Sequence, residues 1–251
     1  MKFLVIGDSC IDRFIYGACE RICPEAPVPV FKPLDETQNY GMSGNVVENV
    51  KALKYKCDII TNKNNIEKIR YIDSRSRQMI IRIDKNDIID ENNKYRHDIN
   101  KLKEYDAIII SDYDKGFLTE TDINDILDVK CTTFLQTKKL LGKWCLKANY
   151  IKLNQYEYKK TKHLIEKLYF DIYPGVDLKL IVTLGEKGCM YKGKEYKITK
   201  KIEIRDVSGA GDTFLAALAV KYANTNNIEE SILFAQKCST KVVQKLGVVT
   251  A

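Results

Sequence analysis

The chain has 251 residues, 45% apolar and 30% charged, the balance of a globular domain and not of a disordered segment. Its 41 Lys and Arg exceed 34 Asp and Glu for a net charge of +7, but the excess is spread without a block of like charges, which argues against a nucleic-acid surface and fits a protein that handles phosphorylated small molecules. No apolar run nears the ~20 residues that span a bilayer, and the apolar stretch before Gly7 is too short for a secretory signal, so a cytoplasmic protein is expected.

In chain order, residues 3–7 (FLVIG) read as a buried strand bounded by Gly7 and Asp8. Residues 13–39 hold four of the five prolines and read as an edge or lid strand, because Pro cannot donate to a central ladder. Residues 41–53 read as a Gly-started helix with Val46, Val47, Val50 and Leu53 on one face. A strand at 57–61 and a polar turn at 62–65 precede a hairpin over 69–84 that turns at 73–77. Then come a buried strand at 106–111, a helix at 119–127 capped by Thr119, strands at 133–136 and 150–153, and a helix at 157–169. A strand at 180–184, a hairpin over 186–197 and two helices at 209–223 and 228–246 close the chain. The alternation predicts one α/β domain over residues 1–251, with a small β lid from about 13–39 and 69–84.

The eight cysteines are scattered, and Cys19 and Cys23 are a lone pair far in sequence from the only histidines, His97 and His163. Disulfides, a zinc site and a histidine-based nucleophilic triad are therefore not expected.

The strongest chemical motif is DVSGAGDT, residues 206–213, ahead of an apolar helix. Free amides of Gly209, Ala210 and Gly211 at a helix start make an anion site. Asp212 adds negative charge where an anion should sit, which makes sense for a general base acting on a hydroxyl beside a transferred phosphate; the alternative is a helix-capping Asp. Neither GxxxxGK[ST] nor GxGxxG occurs.

The segment resembles the DTxGAGD signature of the ribokinase-like (PfkB) sugar kinases, and other segments agree in order. Gly7-Asp8 with Asp12 resembles an opening GDxxxD, GMSGN at 41–45 a sugar-binding GGxxN loop, NQYE at 154–157 an NxxE motif, and TLGEKG at 183–188 a TxGxxG nucleotide turn. The stretches GDSCIDRFIYG, ERICPEAPVPVFK, SDYDKG and the late KLG are similar to the D-glycero-D-manno-heptose 7-phosphate kinase branch of ADP-heptose synthesis. Three features depart from the pattern: Met42 replaces the second Gly of GG, which is expected to crowd the sugar loop and keep the backbone from approaching the sugar closely, Gln136 stands where the heptose branch has Asp, and the chain lacks a segment between Thr61 and Ile66.

The resemblance implies a ribokinase-like three-layer sandwich with a mainly parallel central sheet and a small β-sheet lid. It implies ATP and Mg²⁺, with K⁺ as a further cation. Asp212 would be the base. Asp12, Gly41, Asn45 and Lys115 would bind the sugar; Asn154, Thr183, Gly185 and Gly188 would bind ATP, with residues 235–246 walling the adenine. Glu157 would reach Mg²⁺ through water, and Asp206 would lie beside a monovalent-cation loop. Read as residues alone, Asp12 and Asn45 also suit helix caps, Lys115 an exposed loop, Asp206 a strand-end cap, and Gly185 and Gly188 a plain hairpin. The resemblance further implies a homodimer built through the lid. With no nucleotidyltransferase segment in view, a later step is expected to need another protein. The rival readings are a kinase for another sugar or sugar phosphate, and a non-catalytic member that binds sugar or nucleotide.

Overall fold

The run FLVIG is buried throughout, with Phe3 and Val5 in one apolar cluster and Leu4 and Ile6 in another. A strand covered on both faces needs no polar alternation and suits the interior of a parallel sheet. A computed structural model describes residues 1–96, 99–171, 179–198, 202–245 and 247–250. In chain order it forms β1 (Lys2–Gly7), β2 (Ser9–Ile22), β3 (Pro29–Met42), α1 (Ser43–Ala52), β4 (Lys56–Ile60), β5 (Ile66–Asp73), β6 (Met79–Lys85), β7 (Ala107–Asp112), α2 (Glu120–Ile126), β8 (Thr132–Thr137), β9 (Tyr150–Asn154), α3 (Gln155–Asp171), β10 (Leu180–Thr183), β11 (Cys189–Tyr191), β12 (Lys194–Tyr196), α4 (Ala210–Thr225) and α5 (Ile228–Val242). His97 and Leu246, the latter the expected end of the last helix, lie outside the described residues.

The described strands make two sheets. The large one runs β12-β11-β10-β9-β8-β7-β1-β4, parallel from β10 to β4 with an antiparallel hairpin at one edge. Helices cover both faces: α1, α4 and α5 supply Val46, Leu218 and Ala235 to the cluster holding Phe3, while α2 supplies Ile123 and Ile126 to the cluster holding Leu4. This is the three-layer α/β sandwich expected. Thr119 caps α2 through a reciprocal capping box with Asp122. Among the described residues, no helix is long and apolar enough to cross a membrane.

The small sheet runs β3-β2-β5-β6. Pro29 and Pro33 lie on its edge strand β3, where a missing N–H costs least. The hairpin expected over 69–84 is β5–β6. Strand β2 starts at Ser9, earlier than the lid boundary read from the prolines, because SCIDRF alternates burial with Cys10, Asp12 and Phe14 inward. Short 3-10 segments at Glu91–Asn93, Ile99–Glu104 and Lys143–Cys145 are absent from the sequence reading; three to six residues are too few to leave a periodic pattern.

Candidate active site

The parallel strands deliver their carboxyl ends to one side of the sheet, where open α/β sheets bind ligands. Gly7 ends β1, Asp112 ends β7 and Thr137 ends β8, while Asn154 ends β9 and Thr183 ends β10. The register sets Gln136 beside Lys152 and Asn154 beside Thr183. The amino end of α4 faces them, and Asp212 sits in its first turn with 4% exposure. The preceding Gly209 has φ 76° and is in close contact with Asn45: a Cβ there would lie 2.6 Å from Asn45 Nδ2. Only glycine combines that backbone with that approach.

Two donors hold the Asp212 carboxylate. Tyr113 Oη donates to Oδ1 at 2.5 Å, and Asn45 Nδ2 donates to Oδ2 at 3.1 Å. Burial pushes the Asp212 carboxyl above its ordinary value, while these bonds and the charge of Lys152 pull it back. A carboxylate raised in this way is suited to accept a proton near neutral pH. Asp212 donates nothing to capping: Gly209 is the N-cap residue and makes no side-chain cap bond. Of the three amides proposed for an anion, that of Ala210 already donates to Val207 O at 3.3 Å.

On the lid side, Asp12 is not a helix cap. It lies within β2, 5% exposed, and accepts from Arg70 of β5 at 2.5 Å. Gly41 faces it so closely that a Cβ would sit 2.2 Å from Asp12 Oδ2. Asn45 does not cap α1 either; its amide turns to Asp212 and accepts from Asn49 at 3.0 Å. Met42 corrects a further expectation. Its side chain is 3% exposed within the core cluster and does not crowd the sugar loop. Its φ of 55° puts an ordinary side chain in glycine territory, a strain of about 1–2 kcal/mol; burying a methionine side chain is worth about 1.5–3 kcal/mol and offsets it. Lys115 forms an ion pair with Asp87 and does not line the cleft beside Asp212.

The central cleft, about 640 Å³, contains Lys138, Lys152 and Lys159 beside Asp212. Lys152 was not foreseen. It is 4% exposed, donates to Gln136 at 2.8 Å, and its Nζ lies 2.9 Å from where a Gly211 Cβ would be. Burial lowers its ammonium pKa, opposed by the charges of Glu157 and Asp212. The signal was present: a lysine inside the strand YIKLN, where burial demands an apolar residue, needs a reason. Asn154 and Glu157 form a reciprocal cap at the start of α3, with Glu157 N donating to Asn154 Oδ1 at 2.8 Å and Asn154 N to Glu157 Oε2 at 2.7 Å. Lys138 donates to the other Glu157 oxygen at 2.7 Å. Among the described residues, no group of three or more His, Cys, Asp and Glu is placed to hold a metal ion. Glu157, with both carboxylate oxygens already bonded within the chain, would face a magnesium ion only through water, which that ion sheds reluctantly. Asp206 accepts from the amides of Ser208 at 2.8 Å and Gly247 at 3.0 Å, so it ties the loop before α4 to the chain after α5.

Beyond Thr183 and Gly185 the cleft continues into an apolar slot of about 170 Å³, lined by Ile198, Ile202, Ile204, Val207, Phe214 and Val243. The lining is mainly apolar, as in small-molecule sites. From α5 it takes Gln236, Ser239 and Thr240, while Lys237 and Lys241 lie on the exposed side of that helix, which explains their polarity. A separate cavity of about 150 Å³ lies between the lid and the loop before α4, lined by Arg70, Arg77, Arg205 and Ser208 among others. Arg77 stacks 5.9 Å from the Tyr16 ring, and among the described residues no carboxylate pairs with it.

The pfkB family of carbohydrate kinases matches residues 119–251. The chain is a pfkB-family carbohydrate kinase. Curated relatives include the bifunctional protein HldE of Aliarcobacter butzleri, 31% identical over 296 positions, covering 99% of this chain and 62% of that protein. The same-named protein of Nitratiruptor sp. is 32% identical over 293 positions, covering 100% and 63%. This chain thus spans less than two thirds of those relatives. The alignment is also longer than the 251-residue chain, so the relatives carry segments that this chain lacks. Among solved structures, ribokinase from Thermotoga maritima superposes with a TM-score of 0.72 at 17% identity, covering 98% of this chain and 94% of that one. Ribokinase from Arabidopsis thaliana, complexed with ribose and ATP, gives 0.69 at 15% identity, covering 98% and 93%. The fold is therefore ribokinase-like. As a pfkB-family member the protein is a phosphotransferase with an alcohol group as acceptor.

Proposed function

We propose that residues 1–251 act as one kinase domain that phosphorylates the anomeric hydroxyl of D-glycero-D-manno-heptose 7-phosphate, with the four-stranded sheet as its lid. The observation that carries the reading is the Asp212 carboxylate at the start of α4, facing a cleft with Lys138, Lys152 and Lys159. The acceptor would lie against Asp12, Gly41 and Asn45. Its oxygen attacks the γ-phosphorus, the bond to the bridging oxygen of ADP breaks, and the hydroxyl proton passes to Asp212. The amides of Gly209 and Gly211 and the Lys152 ammonium would face the charge on the transferred group. The ATP base would enter the apolar slot past Gly185 and Gly188. Arg77, which lines the cavity beside the lid with Arg70 and Arg205, supports an acceptor that carries a phosphate at its far end, because Arg70 and Arg205 are paired with Asp12 and Glu203 while Arg77 has its guanidinium on the Tyr16 ring. Mg²⁺ would act near Glu157, and K⁺ beside the Asp206 loop. The enzyme would work in the cytoplasm, and a nucleotidyltransferase for any later step would lie outside these residues.

The test is a coupled ADP-release assay across sugar 7-phosphates, sugar 6-phosphates and their unphosphorylated forms, with Mg²⁺ titrated and K⁺ exchanged for Na⁺. The heptose 7-phosphate should give the highest kcat/KM, at least ~10-fold above the unphosphorylated heptose, the order expected for a charge-assisted contact. Preference for another sugar moves the substrate assignment. Ligand binding with no turnover of any acceptor would mark a non-catalytic member.

A homodimer through the lid belongs to the same proposal. Strand β6 is exposed along its length, with Met79 and Ile81 more than half exposed, and the opposite edge adds Leu34 at 71%. Open strand edges with apolar faces favour pairing with a second copy. Light scattering at micromolar concentration should give twice 28.9 kDa; a monomer mass would overturn it.

A further inference from the structure

Two motifs remain without a chemical task in the reading above: the Gly7-Asp8 corner and the loop SDYDKG at 111–116. The structure joins them. Asp8, fully buried, accepts from the amide of Tyr113 at 2.6 Å and from that of Phe117 at 3.3 Å. Asp112, also fully buried, accepts from Lys139 at 2.9 and 3.1 Å, from Thr137 at 2.5 Å and from the amide of Asp114 at 3.1 Å. Buried carboxylates satisfied in this way fix a loop, since releasing any partner leaves a charge in low dielectric. What the loop presents is Tyr113. Its ring is flanked by Lys68 of the lid at 5.7 Å and by Lys138 at 5.5 Å, and its hydroxyl meets Asp212.

We propose that Tyr113 is a positioning residue of this site: its hydroxyl, held by the buried Asp8 and Asp112 network, fixes Asp212 Oδ1 so that Oδ2 is presented to the acceptor hydroxyl. The proposal rests on Asp212 being the base, as argued above. A tyrosine serves because burial and the Asp212 charge push its phenol well above the ordinary value, so it stays a neutral donor. The donor also counters the burial that raises Asp212. The other groups acting on the pair are Lys152 from β9, Asp12 and Cys10 from β2, Glu157 from α3, and Lys68 and Lys138 over the ring. All of them remain when only the hydroxyl is removed.

The experiment is the pH profile of kcat/KM for the acceptor at saturating ATP, for the parent, Tyr113→Phe and the parent with 3-fluorotyrosine at position 113. Removing the donor raises the basicity of Asp212, so the acidic limb of Tyr113→Phe should move up by about one pH unit, a loss of about ten-fold below the limb. Activity should recover toward the parental plateau at higher pH. The fluorinated residue is a stronger donor and should move the limb down. Equal loss at every pH, or limbs that stay in place in both proteins, would overturn the proposal while leaving the kinase reading intact. A parent without turnover would instead remove the kinase reading itself. Circular dichroism and Tm confirm that the compared proteins are folded.

Discussion

Asp212→Asn should lower kcat by ~10²–10⁴-fold, with the affinities for ATP and sugar close to those of the parent. The side chain keeps its size, and Asn can still accept from Tyr113 on its remaining oxygen, although its NH2 can no longer accept from Asn45. What it loses is the ability to take a proton from a poorly nucleophilic hydroxyl. Folding should not suffer, because burial already disfavours the charged form of Asp212. Asp206→Asn is the comparison. That carboxylate spends both oxygens on the amides of Ser208 and Gly247, so its loss should loosen the loop ahead of α4 and reduce kcat less. Steady-state kinetics with equilibrium binding of each ligand separates the two. Near-normal kcat for Asp212→Asn would leave GAGD as a structural turn.

Lys152→Met should be the second severe lesion, lowering kcat by ~10²–10³-fold, the range for removing one charged donor from a preorganised site. Its effect on stability should run the other way. The Lys152 ammonium has a lowered pKa in the folded chain, mainly from burial. A lysine depressed by folding costs stability at pH values where it is charged in both states. That cost fades as pH rises through the folded value toward the ordinary one near 10.4. The methionine has no such charge, so Tm at neutral pH should be no lower than in the parent, and the gap between the two should narrow toward pH 10. Denaturation at pH 7 and pH 10 beside kcat measurements checks both halves. A variant that is unstable at pH 7 and catalytically normal would make Lys152 a structural residue.

Much of the site can be read directly from the residues. GAGD at 209–212, the Asn45 loop, the NQYE start of α3 and the glycine turn at 185–188 all come to one side of the sheet. Their local chemistry is short-range: helix starts, tight turns and buried parallel strands leave patterns in a few consecutive residues. Tyr113 and Lys152 were not legible as site residues in the same way. A tyrosine in a polar loop and a lysine in a short strand have many ordinary explanations, and only the juxtaposition of β7, β9 and α4 brings them to Asp212 within hydrogen-bond or charge range.

Met42 shows the opposite limit. Its place in GMSGN pointed to a crowded sugar loop, yet its side chain packs into the core and its backbone takes the glycine-like turn in spite of it. Local sequence cannot say which way a side chain leaves a turn, because that depends on the volume left by residues distant in the chain. The sequence determined the order of strands and helices, the two-sided burial of the parallel sheet and the chemistry at the start of α4, because each follows from neighbours along the chain. The tertiary structure alone decided that Asp12 pairs with Arg70, that Asp8 fixes the Tyr113 loop and that Lys152 lies buried beside Gln136. Those contacts join residues far apart in sequence, and their energies come from burial and partnered charge, which no single segment carries.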